Sequence, residues 1–157
     1  MESKLGEYDE DIIVTLEGVR RLLADVIEQA RTSPVHAAFL QLAPNGTGDE
    51  ACAHGVDLYC QVEPRFSLTM RLSWSLRYGA EIQRIAAGYP MERREDTSGL
   101  PVWLVTFPAA DDPIAAILHR VLQEICGCGE GEQTFAYWPD PGYWSAGEAR
   151  NRGPGQR

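Results

Sequence analysis

The sequence predicts an α+β domain: an antiparallel sheet of about five strands with three helices, in the order α-β-β-β-α-β-β-α. Three observations carry this expectation. Val56, Leu58, Cys60 and Val62 alternate with Asp57, Tyr59, Gln61 and Glu63. Alternate side chains of a strand point to opposite faces, so this stretch has one apolar and one polar face. Apolar residues recur at three- and four-residue steps before and after it, as in helices with one buried stripe. Turn-forming residues divide the remaining apolar runs into short segments, the pattern of an antiparallel meander.

The first helix is predicted from Asp11, with Ile12, Leu16, Val19, Leu23, Val26 and Ala30 as its stripe. Asp9, Glu10 and Asp11 suit a helix N-terminus, where the macrodipole is positive, and Ser33-Pro34 ends it. Val35 to Leu42 reads as the first strand, and Pro44-Asn45-Gly46-Thr47-Gly48-Asp49 as a loop. The alternating strand at Val56 follows. Phe66, Leu68, Met70 and Leu72 alternate with Ser67, Thr69 and Arg71, the pattern of a third strand or of a loop packing its apolar side inward.

Ser73 is a candidate cap for a second helix carrying Trp74, Tyr78, Ile82 and Ile85, closed by Gly88 and Pro90. Met91 to Glu95 and Pro101 to Phe107 are the last predicted strands, with Thr97-Ser98-Gly99 as the turn between them. Proline is tolerated at a strand start, which is where Pro101 falls. The third helix is bounded by Asp111 or Asp112 as cap, Pro113 in the first turn and Gly127 past its end. Its stripe is Ile114, Ile117, Leu118, Val121, Leu122 and Ile125.

At 157 residues the chain fits one domain. Residues 1–9 read as a flexible acidic N-terminus, 10–128 as the domain, 129–145 as an aromatic extension and 146–157 as a disordered tail. The extension holds Phe135, Tyr137, Trp138, Tyr143 and Trp144, which either pack on the domain's own core, in one form as an added strand, or present an aromatic patch.

With 23 acidic and 14 basic residues the formal net charge is −9. Lys4 is the one lysine, and acidic neighbours cancel Arg93-Arg94. Such a chain repels phosphate backbones and anionic lipid, so neither nucleic acid nor membrane is an expected partner. No apolar run is long enough to span a bilayer and the N-terminus lacks signal-peptide order, so a cytoplasmic protein with reduced cysteines is expected.

Cys52 with His54, and Cys126 with Cys128, are the residues of chemical interest. Their types suit a structural zinc site, but a one-residue gap is tighter than the usual ligand spacing. Cys52 and His54 also resemble a thiol and base, although no third orienting residue can be named. Cys60 lies on an apolar face and reads as a packing residue. The carboxylate pairs are explained by helix starts and solvated loops, and no phosphate loop is present. The expectation is therefore a protein that is not an enzyme and carries no cofactor; the alternative is a small thiol- or metal-dependent enzyme or accessory factor using these four residues.

In order and length the series of elements resembles the type III secretion chaperone-like fold, which includes small acidic chaperones of secreted effectors and sensory-transduction-regulator-like proteins. The likeness covers residues 12–126 and rests on Ile82-Gln83-Arg84-Ile85-Ala86-Ala87-Gly88-Tyr89-Pro90, on Trp103 and on Ile114 to Ile125. Tyr89 stands where that group carries tryptophan. The resemblance implies non-enzymatic binding of an extended polypeptide, often by a homodimer. Tyr59, Gln61, Phe66, Leu68, Met70 and Trp138 are the candidate partner-binding residues.

Overall fold

A computed structural model describes residues 10–44, 55–73, 79–95 and 101–142. Strand β1 (Glu10–Ile13) precedes helix α1 (Leu16–Thr32). Strands β2 (Ala37–Pro44), β3 (Val56–Gln61) and β4 (Ser67–Ser73) follow, then α2 (Gly79–Ile85), β5 (Met91–Glu95) and β6 (Pro101–Phe107). Helix α3 (Ile114–Arg120) runs into a π-helical turn, Val121–Ile125, and β7 (Gln133–Tyr137) closes the series. The class is α+β, with three helices on an antiparallel sheet of seven strands among the described residues, in the order β1-β7-β2-β3-β4-β6-β5.

Among the described residues from Leu16 to Ile125 the predicted order α-β-β-β-α-β-β-α is seen, and β1 and β7 outside that span add two strands that correct the expected five. The helix predicted from Asp11 does not begin there, because residues 11–13 belong to strand β1. Thr15 explains the break: its backbone is extended, and its Oγ1 accepts the Gly18 N–H at 2.9 Å. That cap fixes the helix start after Ile12, so the four-residue step from Ile12 to Leu16 is a coincidence of spacing. A Cβ on Gly18 would run into the Ile13 carbonyl oxygen, so this tight entry needs glycine.

The sheet's register sorts its side chains cleanly. Leu40 pairs with Leu58 and Leu58 with Met70; Met70 pairs with Val105 and Val105 with Met91. This row joins Leu42, Val56, Leu72, Cys60, Leu68 and Phe107 in one core with Val19, Leu22 and Val26 of α1, Ile82 and Ile85 of α2, and Ile117, Leu118 and Val121 of the third helix. Residues Val56, Leu58 and Cys60 are fully buried while Asp57, Tyr59 and Gln61 between them are not, as alternation predicts.

The C-terminal extension belongs to the sheet: β7 lies between β1 and β2, and Trp138 is buried in the core. Ser73 is the last residue of β4, and the helix start predicted after it, with Trp74 and Tyr78, lies outside the described residues. The start of α3 differs from expectation. Asp112 turns its Oδ2 to the Ala109 N–H at 3.0 Å, and Pro113 occupies the cap of α3 without a side-chain bond. At the other end the Cys126 N–H reaches Val121 O at 3.1 Å, the five-residue step of a π turn, before Gly127 reverses the chain at φ 82°.

The predicted N-terminal segment 1–9, the loop after Pro44, the turn at Thr97-Ser98-Gly99, Tyr143, Trp144 and the tail 146–157 lie outside the described residues.

Candidate functional site

The second face of the sheet is where unassigned side chains gather. The apolar core residues of all three helices belong to the cluster on the first face. On the second, Phe39, Leu104 and Tyr59 form a separate small cluster. Register explains their meeting: Phe39 pairs with Tyr59, and one row across the sheet runs Tyr137, Gln41, Asp57, Arg71, Leu104, Glu92.

At the centre of that row Arg71 donates from both Nε (3.0 Å) and Nη2 (2.7 Å) to Asp57 Oδ2. The Arg71 and Asp57 side chains are only 15% and 14% exposed. Gln41 adds a hydrogen bond to Asp57, and the Arg71 guanidinium lies 5.9 Å from the centroid of the Phe39 ring. Burial pushes the Asp57 carboxyl above its ordinary value, opposed by the charge and hydrogen bonds of Arg71. A charged pair shielded from water contributes little net stability, but it fixes which side chains sit beside it.

On the same face as this pair lie half-buried residues: Tyr59, Gln61 and Thr69, with Phe135 and Tyr137 on β7. Burial also raises the Tyr59 phenol. The face thus offers aromatic surface flanking a fixed polar seam, an arrangement suited to binding through packing and hydrogen bonds.

The structure divides the candidate partner-binding residues. Tyr59 and Gln61 lie on this second face. Phe66 is half-buried and packs against the helix-side core. Leu68, Met70 and Trp138 are at most 1% exposed within that core, so none presents a side chain to a partner. The physical reason is register, since Leu68 and Met70 stand opposite Cys60 and Leu58. Phe135 and Tyr137, read from sequence as members of an added strand or an aromatic patch, lie on the second face as part of a strand; the signal that places them is the alternation Gln133-Thr134-Phe135-Ala136-Tyr137, whose Thr134 and Ala136 are the buried members. Asp57, on the polar face predicted for this strand, is held in the ion pair.

The chemical candidates do not converge among the described residues. Cys52 and His54 lie outside them. Burial pushes the Cys126 thiol up to about 12, with the neighbouring Cys128 adding to the effect, and also raises Cys128. Cys60 is likewise pushed up to about 12 by burial. Such thiols are poor nucleophiles because the thiolate is the reactive form. His119 Nε2 meets Glu130 Oε1 at 2.9 Å, and the same oxygen accepts from Gln123 at 2.8 Å. No group of three or more histidine, cysteine or acidic side chains is placed to hold a metal ion among the described residues.

Fold and site together define an α+β protein with one sheet face under helices and the other carrying an aromatic surface around an ion pair. No family model, curated protein or solved structure matches the chain. No helix among the described residues is long and apolar enough to cross a membrane.

Proposed function

We propose that this is a non-enzymatic, chaperone-like or adaptor protein of the cytoplasm, working as a homodimer without a cofactor. It binds an extended polypeptide on the second sheet face, in the manner suggested by the resemblance to type III secretion chaperone-like proteins. The observation that carries this reading is the placement of Tyr59, Phe135 and Tyr137 on the same sheet face as the Asp57–Arg71 pair, away from the apolar core of the helices. Half-buried aromatic side chains anchor partners efficiently, and the ion pair supplies fixed hydrogen-bonding edges between them. The net charge of −9 favours a client with basic character.

The test is a photo-crosslinking residue installed at Tyr59 and, as a control, at the exposed Arg20 of α1. In the native cell the probe at position 59 should capture a discrete polypeptide that the probe at position 20 does not. Equal or absent capture at the two positions refutes the assignment of this face.

A further inference from the structure

Strand β5 is an outer edge of the sheet among the described residues, and its sequence is complementary to itself. We propose that two copies of the chain pair antiparallel through β5, centred on Arg93, so that one sheet runs through both. This names the interface of the homodimer proposed above and rests on that reading of self-association, though not on client binding.

The argument begins with the direction of the backbone groups. In an antiparallel pair, residues that exchange hydrogen bonds alternate with residues that do not. The Thr106 N–H donates to Pro90 O at 3.1 Å, so positions 90 and 106 face each other through hydrogen bonds. By alternation Glu92 bonds to Leu104 and Arg94 to Val102, whereas Met91, Arg93 and Glu95 turn their N–H and C=O groups outward. Pro101, which has no N–H, stands opposite Glu95 and agrees with this phase. The outward groups therefore form an evenly spaced row able to accept another strand.

The side chains then choose the occupant and its register. Centring the pair on Arg93 places Met91 opposite Glu95 of the second copy and matches every outward group of the five-residue strand. The same register sets Glu92 opposite Arg94 and Arg94 opposite Glu92 across the junction. These two already form an ion pair within the strand, Arg94 Nε to Glu92 Oε2 at 2.9 Å, so the dimer extends it into an alternating group of charges. Shifting the centre to Glu92 loses both of these pairs and shifting it to Arg94 exchanges them for two Arg93–Glu95 pairs, but either shift leaves an outward-facing residue at one end of the five-residue strand unmatched. Arg93 meets its copy on the other face, where the second chain's Glu95 is the diagonal neighbour, within reach of a long side chain. Charged residues usually keep strand edges apart; in this order they select a second copy of the same strand.

Glu92 and Arg94 are 57% and 32% exposed at their side chains, so reversing their charges leaves the core intact. Sedimentation equilibrium of the wild-type chain should show a dimer, and E92R and R94E should each weaken it by about tenfold or more, because two symmetric attractions become repulsions. An equimolar mixture of E92R and R94E should regain the dimer as a heterodimer, and the double variant E92R/R94E should regain it alone. A wild-type chain that stays monomeric at its highest soluble concentration overturns the proposal. So do single variants that dimerise as well as wild type, or a mixture that fails to recover. Crosslinking at position 59 in the same variants reads client capture separately, so a dimer that captures nothing counts against the client and not against the interface.

Discussion

Replacing Arg71 with methionine tests the electrostatics of the second face most directly. The substitution keeps a long stem over Phe39 but removes both hydrogen bonds to Asp57 Oδ2 and the neutralising charge. With its side chain 14% exposed, the carboxylate is left largely without water or partner cation. Breaking one side of a shielded pair costs about 3–5 kcal/mol, which for a chain of this length lowers the melting temperature by about 6–20 °C. The sign of the pH dependence follows from the carboxyl. Burial raises its folded-state pKa above the unfolded value, and removing Arg71 raises it further. Below the ordinary carboxylate range Asp57 holds its proton in both states and the penalty vanishes. It grows as pH rises through the folded-state pKa. Urea unfolding of Arg71→Met at pH 4 and pH 7 should therefore show the larger loss at pH 7. The double variant Asp57→Leu/Arg71→Met should recover most of it, since an apolar pair of similar volume replaces the ion pair at little net cost. A loss below about 1 kcal/mol at both pH values, typical of an exposed pair, refutes the account of a shielded charge.

Gly79→Ala should destabilise the protein by about 1–3 kcal/mol, because its Cβ would fall 2.7 Å from Trp103 Cζ2 and this crowding outweighs the better helix propensity; introducing Trp103→Leu first should remove that loss in urea titrations. Thr15→Ala should cost about 0.5–2 kcal/mol through the lost cap on Gly18, and Thr15→Ser should restore it. With Cys60 and Cys126 pushed up to about 12, thiolate is scarce at pH 8, so iodoacetamide should label both slowly in the folded protein and rapidly in denaturant, read by peptide mass. Fast native labelling at either position would show that its burial is incomplete.

Much of the architecture was legible because local pattern and tertiary demand agree. The alternation at Val56–Val62 predicts a strand with one buried face, and Leu58 and Cys60 obey it completely. The strand at Pro101 and the glycine after the third helix follow from backbone restrictions that hold in any fold. The misreadings arose where two signals compete over a few residues. Ile12 lies four positions before Leu16, but the hydroxyl of Thr15 ends the possibility of a continuous helix. Asp112 has the chemistry of a cap and uses it one turn early, on Ala109. The π turn has no counterpart in the apolar spacing, because Val121, Leu122 and Ile125 stay buried either way. At the site, alternation separates the two faces of each strand without saying which face the helices take. Leu68 and Met70 could therefore be read as partner contacts until pairing with Cys60 and Leu58 set them in the core. Asp57 met Arg71 only through register, across a separation that no local motif spans.

The placement of β7 has a consequence for the order in which the chain can be assembled. Among the described residues β1 pairs with the sheet through β7 alone, while β7 also supplies the outer partner of β2. As the polypeptide leaves the ribosome, residues 10–13 must wait for residues 133–137 before they have a strand to join. Until then β2 presents an unfinished edge, and everything from α1 to the π turn is already available to collapse beneath it. Closure of this side of the sheet is thus a late step with a long sequence span, the kind of contact that slows folding and leaves an intermediate open to wrong partners. A nascent chain stalled before Gln133 should be captured by strand-binding chaperones, and release past Tyr137 should end that capture.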